Sequence, residues 1–387
     1  MIIENLTILD WVLLGTLLVL FLAQVYWYSR YMAAPARKLR KKSEGREQDA
    51  ALPGVSVILC AHNESENLSN YLQALLTQDY PEYEVIVVDD GSEDNTREVI
   101  EQYMVHDARL HMTFVPYGAR VGSTKKLALT LGAKAAQYDY LLLTDADCTP
   151  ESNHWIRSMM AGFEGGKDIV LGFGAYFYEK GHVNRLVRFD TLFNGLHYLG
   201  AALCGHPYMG VGRNLAYKKS LFFESGGFTH LMTNKAGDDD LFVNHVATKA
   251  NTAVVISRES FAWSLAKKTM KEWWQQKRRH VSVSPAYRTE TKARLAFEPI
   301  TRGLFYAAVL GIIIYYIFFV HCPLSITLFA AVGLFLVRWI LQTAILNVSA
   351  RRMGLHRFSM MSVLWFDITL PLVNLYMLII PKKYKWR

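Results

Sequence analysis

Val55-Ser-Val-Ile-Leu-Cys60 follows Pro53-Gly54 and runs straight into His62-Asn63-Glu64. A short apolar run behind a turn reads as a buried strand. Leu68, Tyr71, Leu72, Leu75 and Leu76 then repeat at the spacing of one helix face. The pattern recurs. Glu84–Val88 reads as a second strand, ending in Asp89-Asp90-Gly91-Ser92, and Val99, Ile100 and Tyr103 mark the next helix. Met112–Val115 is a third strand and Ser123–Ala136 a third helix. Tyr140–Thr144 is a fourth strand, ending in Asp145-Ala146-Asp147. Beyond it, Pro150 reads as the first turn of a helix capped by Thr149. Strand–helix alternation predicts an α/β fold with a mainly parallel, doubly wound sheet. Ligands of such sheets bind beyond the carboxyl ends of the strands. The three polar clusters fall there and should line one crevice.

Outward from this region the chain turns apolar at both ends. Of its 387 residues, 51% are hydrophobic and four are Cys, which excludes a disordered chain and a disulfide scaffold. Trp11–Tyr28 carries no charge and is long enough to cross a bilayer. Acidic Glu4 and Asp10 precede it, whereas a cleaved signal peptide begins with basic residues. Arg30, Arg37, Lys38, Arg40, Lys41, Lys42 and Arg46 follow, which puts that flank in the cytosol. The middle domain should then be cytosolic, with Cys60, Cys148 and Cys204 reduced.

Near the other end, Gly303–Val320 and Leu324–Leu346 read as two spans, the second containing Arg338. Arg351, Arg352 and Arg357 mark a cytosolic loop. Met360–Ile380 contains Asp367 and Pro371, and Lys382, Lys383, Lys385 and Arg387 follow it. A third crossing would put that basic tail outside. The stretch is therefore expected to be re-entrant or interfacial, broken near Pro371, with a plain third span as the alternative. The expected organisation is an anchor over 1–30, a basic linker over 31–52 and a catalytic domain over 53–266. An amphipathic interfacial segment covers 267–302 and a C-terminal membrane region 303–387. A multi-pass protein of the plasma or cell inner membrane is expected.

Asp145 and Asp147 offer hard oxygen ligands to Mg²⁺ or Mn²⁺, which keep substrate phosphates as further ligands. Taken alone, such a pair is often just a solvated loop. Asp89-Asp90-Gly91-Ser92 is equally an ordinary turn. Gly237-Asp238-Asp239-Asp240 sets three carboxylates side by side. Their repulsion should raise pKa values unless they are solvated or paired. They read either as an acidic helix start or as a general base. Trp273-Trp274-Gln275-Gln276-Lys277-Arg278-Arg279-His280 lies in a basic stretch, and its Trp residues favour lipid headgroups over nucleic acid. Cys-x-x-Cys and His-Glu-x-x-His zinc patterns are absent, as are the Gly-x-Ser-x-Gly elbow and the Walker phosphate loop.

In this order, the motifs resemble the membrane-bound glycosyltransferases of family 2. Val57-Ile-Leu-Cys-Ala-His-Asn-Glu64 looks like that family's first strand and turn, and Val87-Val-Asp-Asp-Gly-Ser92 with Asp94 and Thr96 like its second motif. Lys125-Lys126-Leu-Ala-Leu129, Asp145-Ala-Asp147, Gly212-Arg-Asn-Leu-Ala-Tyr217 with Gly226-Gly-Phe228, and Gly237-Asp-Asp239 continue the match. The resemblance implies a GT-A fold and inverting transfer. It implies that Asn63, Glu64, Asp89, Asp90 and Lys125 bind a nucleotide-sugar donor. It gives Asp147, with Asp145, a role in holding Mn²⁺ or Mg²⁺. Asp239, beside Asp238, would be the base, and Gly212, Arg213 and Asn214 would lie on the acceptor side. Gln276 and Arg279 would reach the diphosphate. His280 departs from the pattern by standing where the family usually carries Trp, which bears on acceptor type.

The expected function is transfer of a sugar from a UDP-sugar to a lipid or lipid-linked acceptor at the cytosolic face. Gly195–Gly212, apolar but spotted with His197, Tyr198, His206 and Tyr208, supports a lipid acceptor. The alternative is a processive polysaccharide synthase that exports its product. An inactive scaffold is a third reading, against which Asp89, Asp147 and Asp239 all stand.

Overall fold

The computed structural model describes residues 7–41, 52–116, 118, 123–232, 236–320 and 325–380. Helix α1 (Ile8–Trp27) opens with a reciprocal cap, in which Thr7 Oγ1 accepts from Asp10 N and Asp10 Oδ2 accepts from Thr7 N. A π-helical turn, Tyr28–Met32, leads into α2 (Ala34–Lys41). This part of the expected linker is thus a docked helix. Ala34 and Ala36 are buried, and Arg352 Nη1 donates to Ala36 O at 2.7 Å. Small side chains allow that approach, and Pro35 suits a first helical turn.

The α/β domain begins with β1 (Val55–Ala61), α3 (Ser65–Leu76), β2 (Tyr83–Asp89), α4 (Thr96–His106), β3 (Leu110–Phe114), α5 (Thr124–Ala135) and β4 (Tyr140–Leu143). It continues with β5 (Cys148–Pro150), α6 (Trp155–Met160), β6 (Ile169–Leu171), β7 (Gly174–Tyr176), α7 (His182–Leu203), β8 (Leu215–Lys218), α8 (Lys219–Glu224), α9 (Asp240–Val246), β9 (Thr252–Val254), β10 (Ala262–Ser264) and α10 (Met270–Val281). The main sheet has the order β3-β2-β1-β4-β8-β6-β9, with β8 antiparallel to both neighbours and the other pairs parallel. Ile58, Ile86 and Val88 point to one face, while Val57, Leu59, Val85 and Val87 point to the other. Helices cover both faces, so the first two strands are nearly continuous apolar runs.

The second sheet, β5-β10-β7, corrects the reading of Thr149-Pro150 as a helix start. These residues form an edge strand, where proline's missing N–H costs no ladder bond. The helix begins later, at Trp155.

The chain closes with α11 (Thr289–Ile314), which a π-turn extends to Phe319, α12 (Ile326–Arg352) and α13 (Met360–Ile379). Four helices are long and apolar enough to cross a membrane: Ile8–Met32, Thr289–Phe319, Ile326–Arg352 and Met360–Ile379. α11 takes in residues 289–302, which the sequence assigned to an interfacial segment. Leu17, Phe305, Val309, Ile312 and Ala331 fill the space between α1, α11 and α12.

Beside them lies a buried polar network. Asp367 accepts from Arg302 Nη1 at 2.7 Å and from Arg338 Nη1 at 2.8 Å. Arg302 Nη2 reaches Glu298 at 2.9 Å, and Arg338 Nη2 donates to Gln24 Oε1 at 2.9 Å. Two acids and two arginines balance.

The expected break near Pro371 is absent, because α13 runs through it unbroken. Proline cannot bond the carbonyl four residues back. That carbonyl, Asp367 O, accepts instead from Arg302 Nη1 at 3.3 Å. α13 packs on α12 and also reaches the base of the α/β domain. Phe366 packs on Phe189 of α7, and Tyr376 lies 5.9 Å from Trp274 of α10 between ring centroids. The basic tail from Lys382 lies outside the described residues.

Domain and membrane helices also meet at Gly200 of α7. A Cβ there would stand 2.1 Å from Tyr31 O, so only glycine fits.

Candidate active site

The loops after β1 and β2 are tied together. Asn63 sits at φ 57°, a left-handed conformation that Asn tolerates. Its N–H donates to Ser92 Oγ at 3.0 Å, and its Oδ1 accepts from Glu93 N at 2.8 Å. Asp89 Oδ1 accepts from Ser92 N at 2.9 Å, and Thr96 Oγ1 accepts from Glu64 N at 2.9 Å. Asn63 and Asp89 therefore shape the rim. Burial raises the Glu64 carboxyl, the bond from Asn67 opposes this, and Asp147 and Asp145 add to the rise. Burial likewise raises Asp90, against a bond from Thr124 and the nearby His62.

Asp145 and Asp147 follow β4, where the two sheets part. Lys125, on the first turn of α5, reaches Asp145 Oδ1 at 3.0 Å and Asp238 Oδ2 at 3.1 Å. Burial would lower this ammonium, but Asp145, Asp238 and Asp239 outweigh burial and raise it well above its usual value. Asp145, Asp147 and Cys148 bring their ligand atoms within 4.8 Å of one another. Burial and then Asp147 push the Cys148 thiol well up. The usable donors are carboxylate oxygens, which suit Mg²⁺ or Mn²⁺.

The three adjacent acids separate by direction. Asp239 caps α9: its Oδ1 accepts from Asp240 N at 2.8 Å and its Oδ2 from Gly212 N at 2.6 Å. Asp238 instead projects to Lys125, and so faces the crevice. The sequence named Asp239, with Asp238 beside it, as the base; here Asp238 meets Lys125, while both Asp239 oxygens accept backbone N–H bonds. Asp240 is buried, and Tyr287 Oη donates to its Oδ2 at 2.9 Å. Upstream, the buried Lys126 ammonium donates to Leu231 O at 2.7 Å and Ala236 O at 2.9 Å, pinning the approach to this segment.

Burial and then Asp239 push Asp240 up to about 8, against the bond from Tyr287. An acid whose folded value is raised contributes stability that is fully present below its ordinary value of 3.8 and is lost as pH rises through about 8. Thermal melts between pH 4 and 9 should show wild type losing stability across this window. Asp240→Asn, which can still accept from Tyr287, should flatten that slope; an unchanged slope would assign it to other groups.

On the far side, Arg213 stacks on Tyr176 at 4.3 Å, and Gln276 Nε2 donates to Tyr176 Oη at 2.9 Å. Arg213 and Arg279 both help to hold the Asp145 carboxyl down, after Lys125. His280 opens to solvent, and the enclosing crevice with Arg279, Lys277, Arg213 and Lys125 keeps its imidazole neutral. Asn214 does not line the crevice, contrary to the acceptor-side assignment. It is fully buried: its Nδ2 donates to Phe173 O and Ser260 O, and its Oδ1 accepts from Trp155 Nε1. Tyr176 was missed by the sequence, since one aromatic among Phe173, Phe177 and Tyr178 gives no signal.

The crevice thus gathers acids for a cation, cations for an anionic leaving group, and one projecting carboxylate. Residues 56–229 match the description Glycosyl transferase family 2. This domain belongs to glycosyltransferase family 2. A poly-beta-1,6-N-acetyl-D-glucosamine synthase of Staphylococcus epidermidis is 37% identical over 111 residues, 29% of this chain and 25% of that protein. The glycosyltransferase AglE of Haloferax volcanii is 32% identical over 148 residues, 38% of this chain and 47% of that protein. The chain therefore spans about a quarter to a half of these relatives. The mannosyltransferase PcManGT from Pyrobaculum calidifontis, solved with GDP-Man and Mn²⁺, superposes with a TM-score of 0.57 at 18% identity. That match covers 90% of this chain and 99% of that one, and it shows the GT-A fold.

Proposed function

We propose that the chain is an inverting glycosyltransferase, moving a sugar from a nucleotide-sugar, a UDP-sugar in our reading, to a lipid or lipid-linked acceptor. The observation that carries this is the Lys125 bridge, which sets Asp145 and Asp238 on either side of one ammonium in a family 2 domain. Asp145 and Asp147 would hold Mn²⁺ or Mg²⁺, which supplies Lewis-acid stabilisation of charge on the leaving diphosphate. Lys125, Arg213, Gln276 and Arg279 face that diphosphate. Asp238 takes the proton of the acceptor hydroxyl as its oxygen bonds to the anomeric carbon and the bond to diphosphate breaks. A single displacement inverts the centre, through an oxocarbenium-like transition state.

Basic residues flank the membrane helices on the domain side, which supports a cytosolic domain on a plasma or cell inner membrane. Because α13 touches the domain base as well as α12, we read it as lying along the interface. The processive synthase is the second reading, favoured by the name of the Staphylococcus relative. Against it, Leu17, Phe305, Val309, Ile312 and Ala331 pack together between α1, α11 and α12.

The test uses membranes with labelled UDP-sugars and Mn²⁺, followed by organic extraction. Label in the organic phase supports the lipid acceptor, and label in a long water-soluble product supports the synthase. EDTA should abolish transfer, with Mn²⁺ or Mg²⁺ restoring it; transfer undiminished by EDTA would overturn the metal role of Asp145 and Asp147.

A further inference from the structure

Lys277 follows Gln276 on α10 but points to α7. Its side chain is only 7% exposed, and its ammonium donates to both oxygens of Asp190, at 2.7 and 2.9 Å. This is its one ion pair among the described residues. Asp190 is 13% exposed, and Asn194 Nδ2, one turn further along α7, donates to its Oδ1 at 2.9 Å. Two charges are thus held largely out of water. A buried pair of this kind often adds no net stability, because apolar side chains of similar volume do as well. What it does fix is geometry. An ammonium bonded to both oxygens admits one rotation and one height of α10 against α7.

That rotation decides what α10 presents to the crevice. Trp273, one turn before Lys277, is buried on the same face. Gln276 and Arg279, three residues apart, form the neighbouring stripe. Gln276 bonds Tyr176 Oη, and Arg279 acts on Asp145. Helix α7 is in turn held by the membrane helices. Phe189 packs on Phe366 of α13 with centroids 4.9 Å apart, and the Arg302 guanidinium of α11 lies 5.6 Å from the Phe193 ring. Asp190 falls between these two contacts on the same helix. It therefore sets α10 against a fixed frame.

We propose that Asp190 is a positioning residue: through Lys277 it sets α10 so that Gln276 and Arg279 meet the diphosphate of the donor. This role rests on the transferase reading, which puts those two side chains at the diphosphate.

Full-length protein in neutral detergent would be titrated with UDP, UMP, GDP and GMP in the presence of Mn²⁺, and melted in parallel. For the base that binds, the diphosphate should bind wild type at least about tenfold more tightly than the monophosphate. Asp190→Asn should remove most of that advantage, about the scale of one lost charge-assisted hydrogen bond, and leave monophosphate binding little changed. A second variant pairs Asp190→Leu with Lys277→Met, which removes both charges and keeps the bulk. It should melt close to wild type. It should still lack the diphosphate advantage, and its transfer should fall roughly 10²-fold, as for a small misplacement of binding groups. A merely structural pair predicts that binding returns with stability. Wild-type preference for the diphosphate in the double variant would overturn the proposal, as would Asp190→Asn weakening diphosphate and monophosphate equally. Neither result touches the transferase reading, which wild-type transfer tests. A wild type that binds no nucleoside diphosphate would sink the transferase reading and this role with it.

Discussion

Asp238→Asn is expected to lower sugar transfer about 10²–10⁴-fold while nucleotide binding stays near wild type, as for loss of a general base. The substitution keeps the shape of the side chain and removes its capacity to take a proton. Of the three adjacent acids, only Asp238 meets the ammonium that also holds Asp145. Asp239 has each oxygen engaged by a backbone N–H, from Gly212 and Asp240. Asp239→Asn can keep one of those bonds and so should cost helix α9 about 1 kcal/mol or less. Its effect on transfer should be much smaller. Transfer assays beside nucleotide titrations separate the two. A dead Asp239→Asn beside an active Asp238→Asn would return the base to Asp239.

Asp367→Ala should destabilise the membrane region by about 3–5 kcal/mol, the scale of stripping one partner from a buried ion pair. The carboxylate answers both Arg302 and Arg338, and its removal leaves Glu298 facing two guanidiniums. Arg302 also satisfies the carbonyl freed by Pro371, so its displacement would loosen α13 as well. Thermal unfolding in neutral detergent measures the loss. Pairing Asp367→Leu with Arg338→Met removes charge from both sides and should recover part of it. A change below 1 kcal/mol for Asp367→Ala would mean that water already reaches this network.

The parallel half of the sheet was legible because strands buried on both faces must be apolar, and Val57 and Val87 say so directly. The short strands of the second sheet carry no periodicity, and the letters Thr149-Pro150 obey a helix rule that tertiary pairing overrides. Asp145 and Asp147, which we propose as metal ligands, stand where the sequence put them, just after a strand. Which of Asp238, Asp239 and Asp240 faces the crevice was not legible, since three identical letters do not reveal where α9 begins. Pro371 misled for a related reason. The rule for proline is local, whereas the group that satisfies Asp367 O comes from another helix. Asn214 shows the converse: its motif pointed outward to substrate, but Trp155 and two remote carbonyls use its amide.

At Gly200 the backbone of the first membrane helix's extension rests directly on α7, with no side chain between them to flex. On the reading proposed above, this contact would help to set the height of the crevice above the bilayer, like a stylus over a turntable. Molecules held in the membrane would be sorted by reach: a hydroxyl carried too near the surface, or too far from it, never comes under the point.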